Sequence, residues 1–304
     1  MGSGMNKIIC GDAVETLRTL PPESVNCCIT SPPYYGLRDY GAAGQIGLEG
    51  SPGEYIARLM DVFREVKRVL RDDGTIWIVI ADSYAGRSKG ASKGETKPWG
   101  NIKPKDLVGI PWTLAFALRD DGWYLRSAIV WSKPNPLPES CRDRPTRSYE
   151  HVFLLSKSYQ YYYDQGAVKE PVAAGTHARM KRAISDKHKY VNATIGQPPQ
   201  TFNRPRPNRS GEELMLADTR NLRDVWTVTT KSYRGAHFAV FPVELIIPCI
   251  LAGCPAEGVV LDPFFGSGTT GVAAVALGRQ YIGIDINPEY CRLAEDRLKG
   301  VMLL

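Results

Sequence analysis

The sequence predicts an α/β protein built on a doubly wound, mostly parallel sheet, with an inserted basic region. Three observations lead there. Short apolar runs alternate with stretches of 3.6-residue periodicity, the pattern of buried parallel strands covered by helices. Residues 258–285 read as strand, glycine-rich turn, helix, strand and then an acid, Asp285. Finally, the charge is local. The chain of 304 residues carries a net +6, and residues 164–236, with 13 Lys/Arg against 7 Asp/Glu, hold the whole excess. A basic segment amid aromatics and prolines fits a nucleic-acid surface, and the length suits one large domain with an insert.

Composition narrows the class further. No uninterrupted apolar run approaches the roughly 18 to 20 residues of a membrane span. Residues 1–4 read as an expression scar ahead of Met5, and no signal peptide is expected, so the expected location is cytoplasmic. The seven cysteines (10, 27, 28, 141, 249, 254 and 291) are scattered, mostly within apolar runs. None has zinc spacing, so reduced thiols and no metal are expected.

In chain order, residues 7–10 form a short strand that ends at Gly11-Asp12-Ala13. Asp12 then caps a helix with Val14, Leu17 and Leu20 on one face. A second strand, 25–29, runs into Thr30-Ser31-Pro32-Pro33-Tyr34. Two prolines stop a strand and keep the backbone extended. Ser31 is therefore presented at the C-terminal end of its strand, where open α/β sheets bind ligands. The glycine-rich, aromatic loop 35–41 follows, placed to cover Ser31. Ser51-Pro52-Gly53-Glu54 has the form of a capping box, opening a helix striped with Ile56, Leu59, Met60, Phe63, Val66, Val69 and Leu70.

Asp72-Asp73-Gly74 is expected to turn into the strand 75–81, and residues 84–100 read as a mobile, basic loop. A helix is expected at 111–118 and strands at 127–131 and 150–155, the two strands forming an antiparallel edge pair. Residues 156–236 lack clear periodicity and read as an irregular insert containing Arg204, Arg206 and Arg209. Regular grammar returns at Phe238, with a helix at 243–251, strands at 258–262 and 281–284, a small-residue helix between them, and a last helix at 289–298. The expected divisions are 5–163 and 237–304, two halves of one domain, and 164–236, the insert.

The run Ser31-Pro32-Pro33-Tyr34 after an apolar strand resembles the catalytic motif of DNA methyltransferases that modify exocyclic amines, at cytosine N4 or adenine N6. The C-terminal unit supplies the complement. Asp285 follows Gly266 by 19 residues, as in nucleotide-binding βαβ units where the acid binds ribose hydroxyls. Gly266-x-Gly268 lacks the third glycine of the dinucleotide fingerprint, which disfavours NAD. Asp262-Pro263-Phe264-Phe265-Gly266-Ser267-Gly268-Thr269-Thr270 instead resembles the S-adenosylmethionine loop of amino-methyltransferases.

The resemblance implies the S-adenosylmethionine-dependent methyltransferase fold in a circularly permuted, beta-class order. The catalytic turn comes first and the cofactor loop last, with a target-recognition region between them. It implies that Asp262, Pro263, Phe264, Gly266, Ser267, Gly268 and Thr269 hold the methionine end of the cofactor and Asp285 the ribose. Asp12 would lie near the adenine, and Phe238, Phe241 and Pro242 would line the pocket. Ser31 and the Pro32 carbonyl would accept the amino hydrogens of the target base, and Tyr34 would stack on it. The base would be flipped out of double-stranded DNA. Arg204, Arg206 and Arg209 are candidates for DNA contact, and a cognate restriction nuclease is a candidate partner.

Serine in first place is nearer to the cytosine-N4 enzymes, and aspartate to the adenine-N6 enzymes. Adenine N6 stays as an alternative base. Enzymes acting on RNA or protein amides tend to show Asn-Pro-Pro-Tyr instead. A catalytically silent DNA-binding module is the alternative from another class.

Overall fold

The computed structural model describes residues 6–37, 39, 41–86, 102–173, 218–230 and 241–302. Arg204, Arg206, Arg209 and Phe238 lie outside the described residues, as does most of the expected loop 84–100. The chain divides into two units, residues 1–167 with 223–304, and residues 168–222.

The larger unit opens with strand β1 (Lys7–Cys10), helix α1 (Ala13–Thr19), β2 (Val25–Thr30), α2 (Pro52–Val69), β3 (Leu70–Ile80), α3 (Ile110–Asp120), β4 (Tyr124–Ser132) and β5 (Tyr149–Ser156). In the smaller unit, β6 (Glu170–Pro171) and β7 (Thr219–Arg220) pair antiparallel, and Arg220 Nε donates to Glu170 Oε1 at 2.9 Å. The larger unit resumes with β8 (Val225–Thr227), α4 (Val243–Gly253), β9 (Val259–Asp262), α5 (Thr269–Ala276), β10 (Gln280–Asp285) and α6 (Pro288–Met302).

Among the described residues of that unit, eight strands form one sheet in the order β1-β10-β9-β2-β3-β5-β4-β8. Every pairing is parallel except the two made by β5. The mostly parallel, doubly wound expectation therefore holds. Two local expectations change. β4 and β5 are antiparallel partners but not an edge pair, because β5 inserts between β3 and β4, and β8 covers the far side of β4. Asp72-Asp73-Gly74 does not precede β3 but lies inside it, because Leu70 already pairs with Val25.

Local sequence explains the principal elements. Asp12 caps α1, its Oδ1 accepting from the Glu15 amide at 3.0 Å. Ser51 Oγ likewise accepts from the Glu54 amide at 3.2 Å, and Pro52 begins α2 where a missing N–H costs nothing. Tyr55, Ile56, Leu59, Met60, Val62, Phe63, Val66 and Val69 of α2 are all buried. Each stabilises the fold by about 1.5–3 kcal/mol over the exposed side chain.

Successive residues of a strand face opposite ways. Cys28, Ile76, Ile78 and Ile80 join the core that α1, α2 and α3 cover. Cys27, Thr75 and Trp77 face α4 instead, where Gly253 lies so near that an added Cβ would stand 2.6 Å from both Thr75 Oγ1 and Trp77 Nε1. The sheet thus has helices on both faces and a free row of strand ends.

Candidate functional site

The sheet changes winding direction between β9 and β2, and ligands in open α/β sheets bind beside the C-terminal strand ends at such a switch. A cavity of about 990 Å³ lies there. Thirteen residues singled out from the sequence line it: Asp12, Ser31, Pro32, Pro33, Tyr34, Phe241, Asp262, Pro263, Phe264, Gly266, Ser267, Thr269 and Asp285. Pro242 and Gly268 do not. Pro242 caps α4, its carbonyl accepting from the Leu245 amide at 3.0 Å, and Gly268 caps α5.

Three carboxylates come from three neighbouring strands. Asp262 ends β9, only 1% exposed. Its Oδ1 accepts from the Thr30 hydroxyl at 2.6 Å and the Phe264 amide at 3.0 Å, and its Oδ2 from the Thr270 hydroxyl at 2.7 Å. Burial pushes the carboxyl up to about 6, against the pull of those donors. Asp285, at the end of β10, accepts from the Gly266 amide at 2.7 Å and the Asn287 amide at 2.8 Å. Burial raises it too, and these two amides oppose the rise. Asp12 follows β1, where the Gly11 amide donates to the Asp285 carbonyl at 2.9 Å.

The glycine-rich loop is fixed from below by aromatic packing. Phe265 is buried and stacks on Tyr281, ring centroids 5.7 Å apart. A Cβ on Gly283 would enter its ring at 2.3–2.5 Å, and one on Gly271 would come within 2.7 Å. Gly268 adopts φ +78°, and a Cβ there would meet Ala294 at 2.9 Å. Arg297 of α6 then holds the loop, donating to the Ser267 carbonyl and hydroxyl, each at 3.2 Å, and to Thr269 Oγ1 at 2.9 Å.

Across the cavity, the Ser31 turn is braced by α2, because the Tyr55 hydroxyl donates to the Pro33 carbonyl at 2.8 Å. The Tyr34 hydroxyl donates to Glu150 Oε2 at 2.7 Å. Burial, and then the Glu150 charge, push this phenol well above its ordinary value, and the neighbouring Ser31 hydroxyl opposes the rise. Glu150 in turn pairs with Lys133, whose ammonium stands 4.3 Å from the Trp131 ring centroid.

Lys133, Glu150, Trp131 and Tyr149 line the same cavity, and sequence reasoning passed over them. They stand on β4, β5 and the loop after β4. Their shared signal was weak: a charge at the end of each of two strands read as paired. The described residues contain no group of three or more His, Cys, Asp and Glu arranged to hold a metal ion. Nor does any described helix have the length and apolar character to cross a membrane.

The family model described as DNA methylase matches residues 25–296. The Type II methyltransferase M.Cfr9I of Citrobacter freundii is 48% identical over 302 residues, covering 95% of this chain and 86% of that protein. M.SmaI of Serratia marcescens, also a Type II methyltransferase, is 46% identical over 303 residues, covering 96% and 90%. Among solved structures, a Thermus thermophilus protein complexed with S-adenosyl-L-methionine aligns with a TM-score of 0.62 at 22% identity, over 97% of this chain and 94% of that one. The cytosine-N4-specific PvuII DNA methyltransferase aligns with a TM-score of 0.64 at 18% identity, over 99% and 92%. These two likenesses identify the fold as that of the methyltransferases. With the family match running from β2 into α6 and relatives nearly half identical along almost the whole chain, the protein belongs to the DNA methylase family.

Proposed function

We propose that the protein transfers a methyl group from S-adenosylmethionine to the N4 amine of a cytosine flipped out of double-stranded DNA at a specific sequence. The observation that carries this reading is the 2.6 Å bond from Thr30 to Asp262. It joins the turn that would hold the base to the carboxylate that would hold the cofactor, across adjacent strands and inside one cavity.

The cavity suits both ligands. Its volume is at the upper end of ordinary ligand sites, and its carboxylates sit at separate strand ends. Asp262 would pair with the methionine ammonium, Asp285 would accept from the ribose hydroxyls, and Asp12, Phe241, Pro263, Phe264, Gly266, Ser267 and Thr269 would complete the walls. Phe238 is the further wall residue implied by its place in the sequence. Pro242 and Gly268 would serve by shaping the starts of α4 and α5. When bound, S-adenosylmethionine supplies an electrophilic methyl group on a sulfonium.

The chain's own task is then orientation. A nucleobase amine is a poor nucleophile, because its lone pair is delocalised into the ring. Acceptance of its hydrogens by Ser31 Oγ and the Pro32 carbonyl favours a pyramidal nitrogen with its lone pair exposed. Ser31 accepts well only if its own proton points elsewhere, and the Tyr34 oxygen is the available acceptor. Tyr34 in turn gives its proton to Glu150. The Tyr34 ring remains free to stack on the base. Positioning and preorganised dipoles of this kind supply the catalysis.

Ser31 in the first motif position favours cytosine N4; adenine N6 is the second reading, with the same residues. The sheet order supports a circularly permuted chain, since the first strand, β1, pairs with the last, β10. Residues 164–236 are the proposed target-recognition insert, with Arg204, Arg206 and Arg209 as DNA contacts. A restriction nuclease reading the same site is the partner implied.

The deciding experiment incubates the protein with methyl-labelled S-adenosylmethionine and mixed-sequence duplex DNA, then identifies labelled nucleosides by mass spectrometry. The expected product is N4-methylcytosine. N6-methyladenine would overturn the base assignment while keeping the site. Cofactor binding without labelled DNA would overturn the reaction and favour a silent DNA-binding module.

A further inference from the structure

Extruding a base leaves a hole in the duplex at the mouth of the pocket that receives it. Proteins that unstack DNA commonly fill such gaps with an apolar side chain. The rim of this cavity carries one that nothing in the fold requires. Leu137 lines the cavity mouth yet is 87% exposed, the most exposed large apolar side chain among the described residues. A leucine on a flexible loop would fold back against the apolar wall.

Leu137 is kept from doing so. It stands between Pro136 and Pro138, with Pro134 just before, so its neighbours' backbone angles are largely fixed. Both flanks are also tied down. Asn135 exchanges hydrogen bonds with Thr230, giving its Nδ2–H to the carbonyl and accepting from the amide, each at 3.0 Å. Glu139 accepts from Arg144 Nη1 at 2.6 Å and the Arg147 amide at 3.2 Å. The Lys133 amide donates to the Ser148 carbonyl at 2.8 Å, closing the base of the loop. The result is a stiff projection with an apolar tip, at a cavity that Lys133 and Arg147 also line.

Resting on the base-flipping reading, we propose that Leu137 is the wedge that enters the duplex and occupies the space vacated by the target base. Its contribution is to hold the extruded state, and it touches neither the cofactor nor the reacting amine.

The test compares wild type, Leu137→Ala and Leu137→Met on two duplexes that carry a site methylated by the wild-type enzyme. In one the target base is paired; in the other it faces an abasic nucleotide, so that leaving the stack costs little. On the paired duplex, Leu137→Ala should lower kcat/KM by about tenfold or more, while the longer apolar Met stays near wild type. On the abasic duplex, Leu137→Ala should regain most of the lost rate. S-adenosylmethionine affinity should match wild type throughout, since the side chain is exposed. An equal loss on both duplexes, or no loss on the paired one, overturns the wedge while leaving the functional reading intact. A wild-type protein that methylates no duplex in the preceding search for its site sinks that reading, and the wedge with it.

Discussion

Burial holds the Asp262 carboxyl at about 6, although two hydroxyls and an amide donate to it. The raised value has two consequences of opposite sign. Between about pH 4 and 6 the folded chain binds more protons here than the unfolded one. The contribution of this group to stability is therefore greatest below about pH 4 and shrinks by roughly 3 kcal/mol as pH rises to 6. Ligand binding runs the other way, because only the carboxylate can pair with an ammonium. The dissociation constant for S-adenosylmethionine should be flat above about pH 6 and rise toward tenfold per unit below it. Calorimetric titrations from pH 5 to 8 measure this directly; a flat profile would remove Asp262 from the cofactor contact. A second residue-scale prediction concerns Glu150. In Glu150→Gln the Tyr34 hydroxyl loses its charged acceptor, and Lys133 its partner. A charge-assisted hydrogen bond is worth about 1.5–3 kcal/mol, so kcat should fall by about tenfold to a hundredfold with cofactor affinity unchanged. Tyr34→Phe should show a similar loss, and the double variant little more than either, because both substitutions break the same chain. Single-turnover rates for the four proteins test this, and additive losses would show that Glu150 acts independently of Tyr34.

At the scale of elements, the glycine-rich loop proposed to hold the cofactor is set by the fit of β10 beneath it. Phe265 fills the space that Gly283 leaves, so Gly283→Ala must push the ring and the loop above it. Overpacking of this kind costs about 1–3 kcal/mol. The midpoint of thermal unfolding should drop by several degrees, at about 2–4 °C per kcal/mol, and S-adenosylmethionine should bind more weakly. Unfolding curves with and without the cofactor separate the two effects, and an unchanged midpoint would show that the ring has room to move. The glycines of this loop were legible in the sequence, but only half of their reason was. The spacing of Gly266 and Gly268 points to a backbone that approaches a ligand, whereas the loop also depends on Gly271 in α5 and Gly283 in β10, which make room for the Phe265 ring brought in by tertiary packing. The same contrast runs through the whole molecule. β2, α2, β9 and β10 could be read directly, because a proline stop, a capping box and strict apolar periodicity are local properties. β8 could not, because three residues with a single buried side chain, Trp226, carry no period. Glu150 was hidden for a related reason: it lies 116 residues from Tyr34 along the chain, and only the insertion of β5 beside β3 turns it toward the turn after β2.

Across the whole molecule, charge and chemistry are separated along the chain. Residues 164–236 hold the entire +6 excess, while the rest of the chain is balanced, with 25 Lys/Arg against 25 Asp/Glu. A balanced methyl-transfer unit, with carboxylates lining its cavity, has little general attraction for a polyanion. DNA affinity should therefore reside mainly in the insert and should depend on salt through the counterions that the insert displaces. Replacing Arg204, Arg206 and Arg209 with Gln removes three of its thirteen positive charges. Each phosphate that the insert no longer neutralises should lower the slope of log affinity against log salt by about 0.9, so the triple variant should lose between about 1 and 3 of slope. Binding isotherms from about 50 to 200 mM salt measure it, and cofactor affinity should match wild type if the cavity of the larger unit sets it, as proposed. The methylated sequence adds a separate readout. If the three arginines bind only phosphate, the variant should methylate the same site more weakly; if one of them reads a base edge, methylation should spread to sites changed at that position. An unchanged salt slope with an unchanged site would exclude all three from the DNA surface, and the recognition role would then pass to the remaining basic residues of the insert.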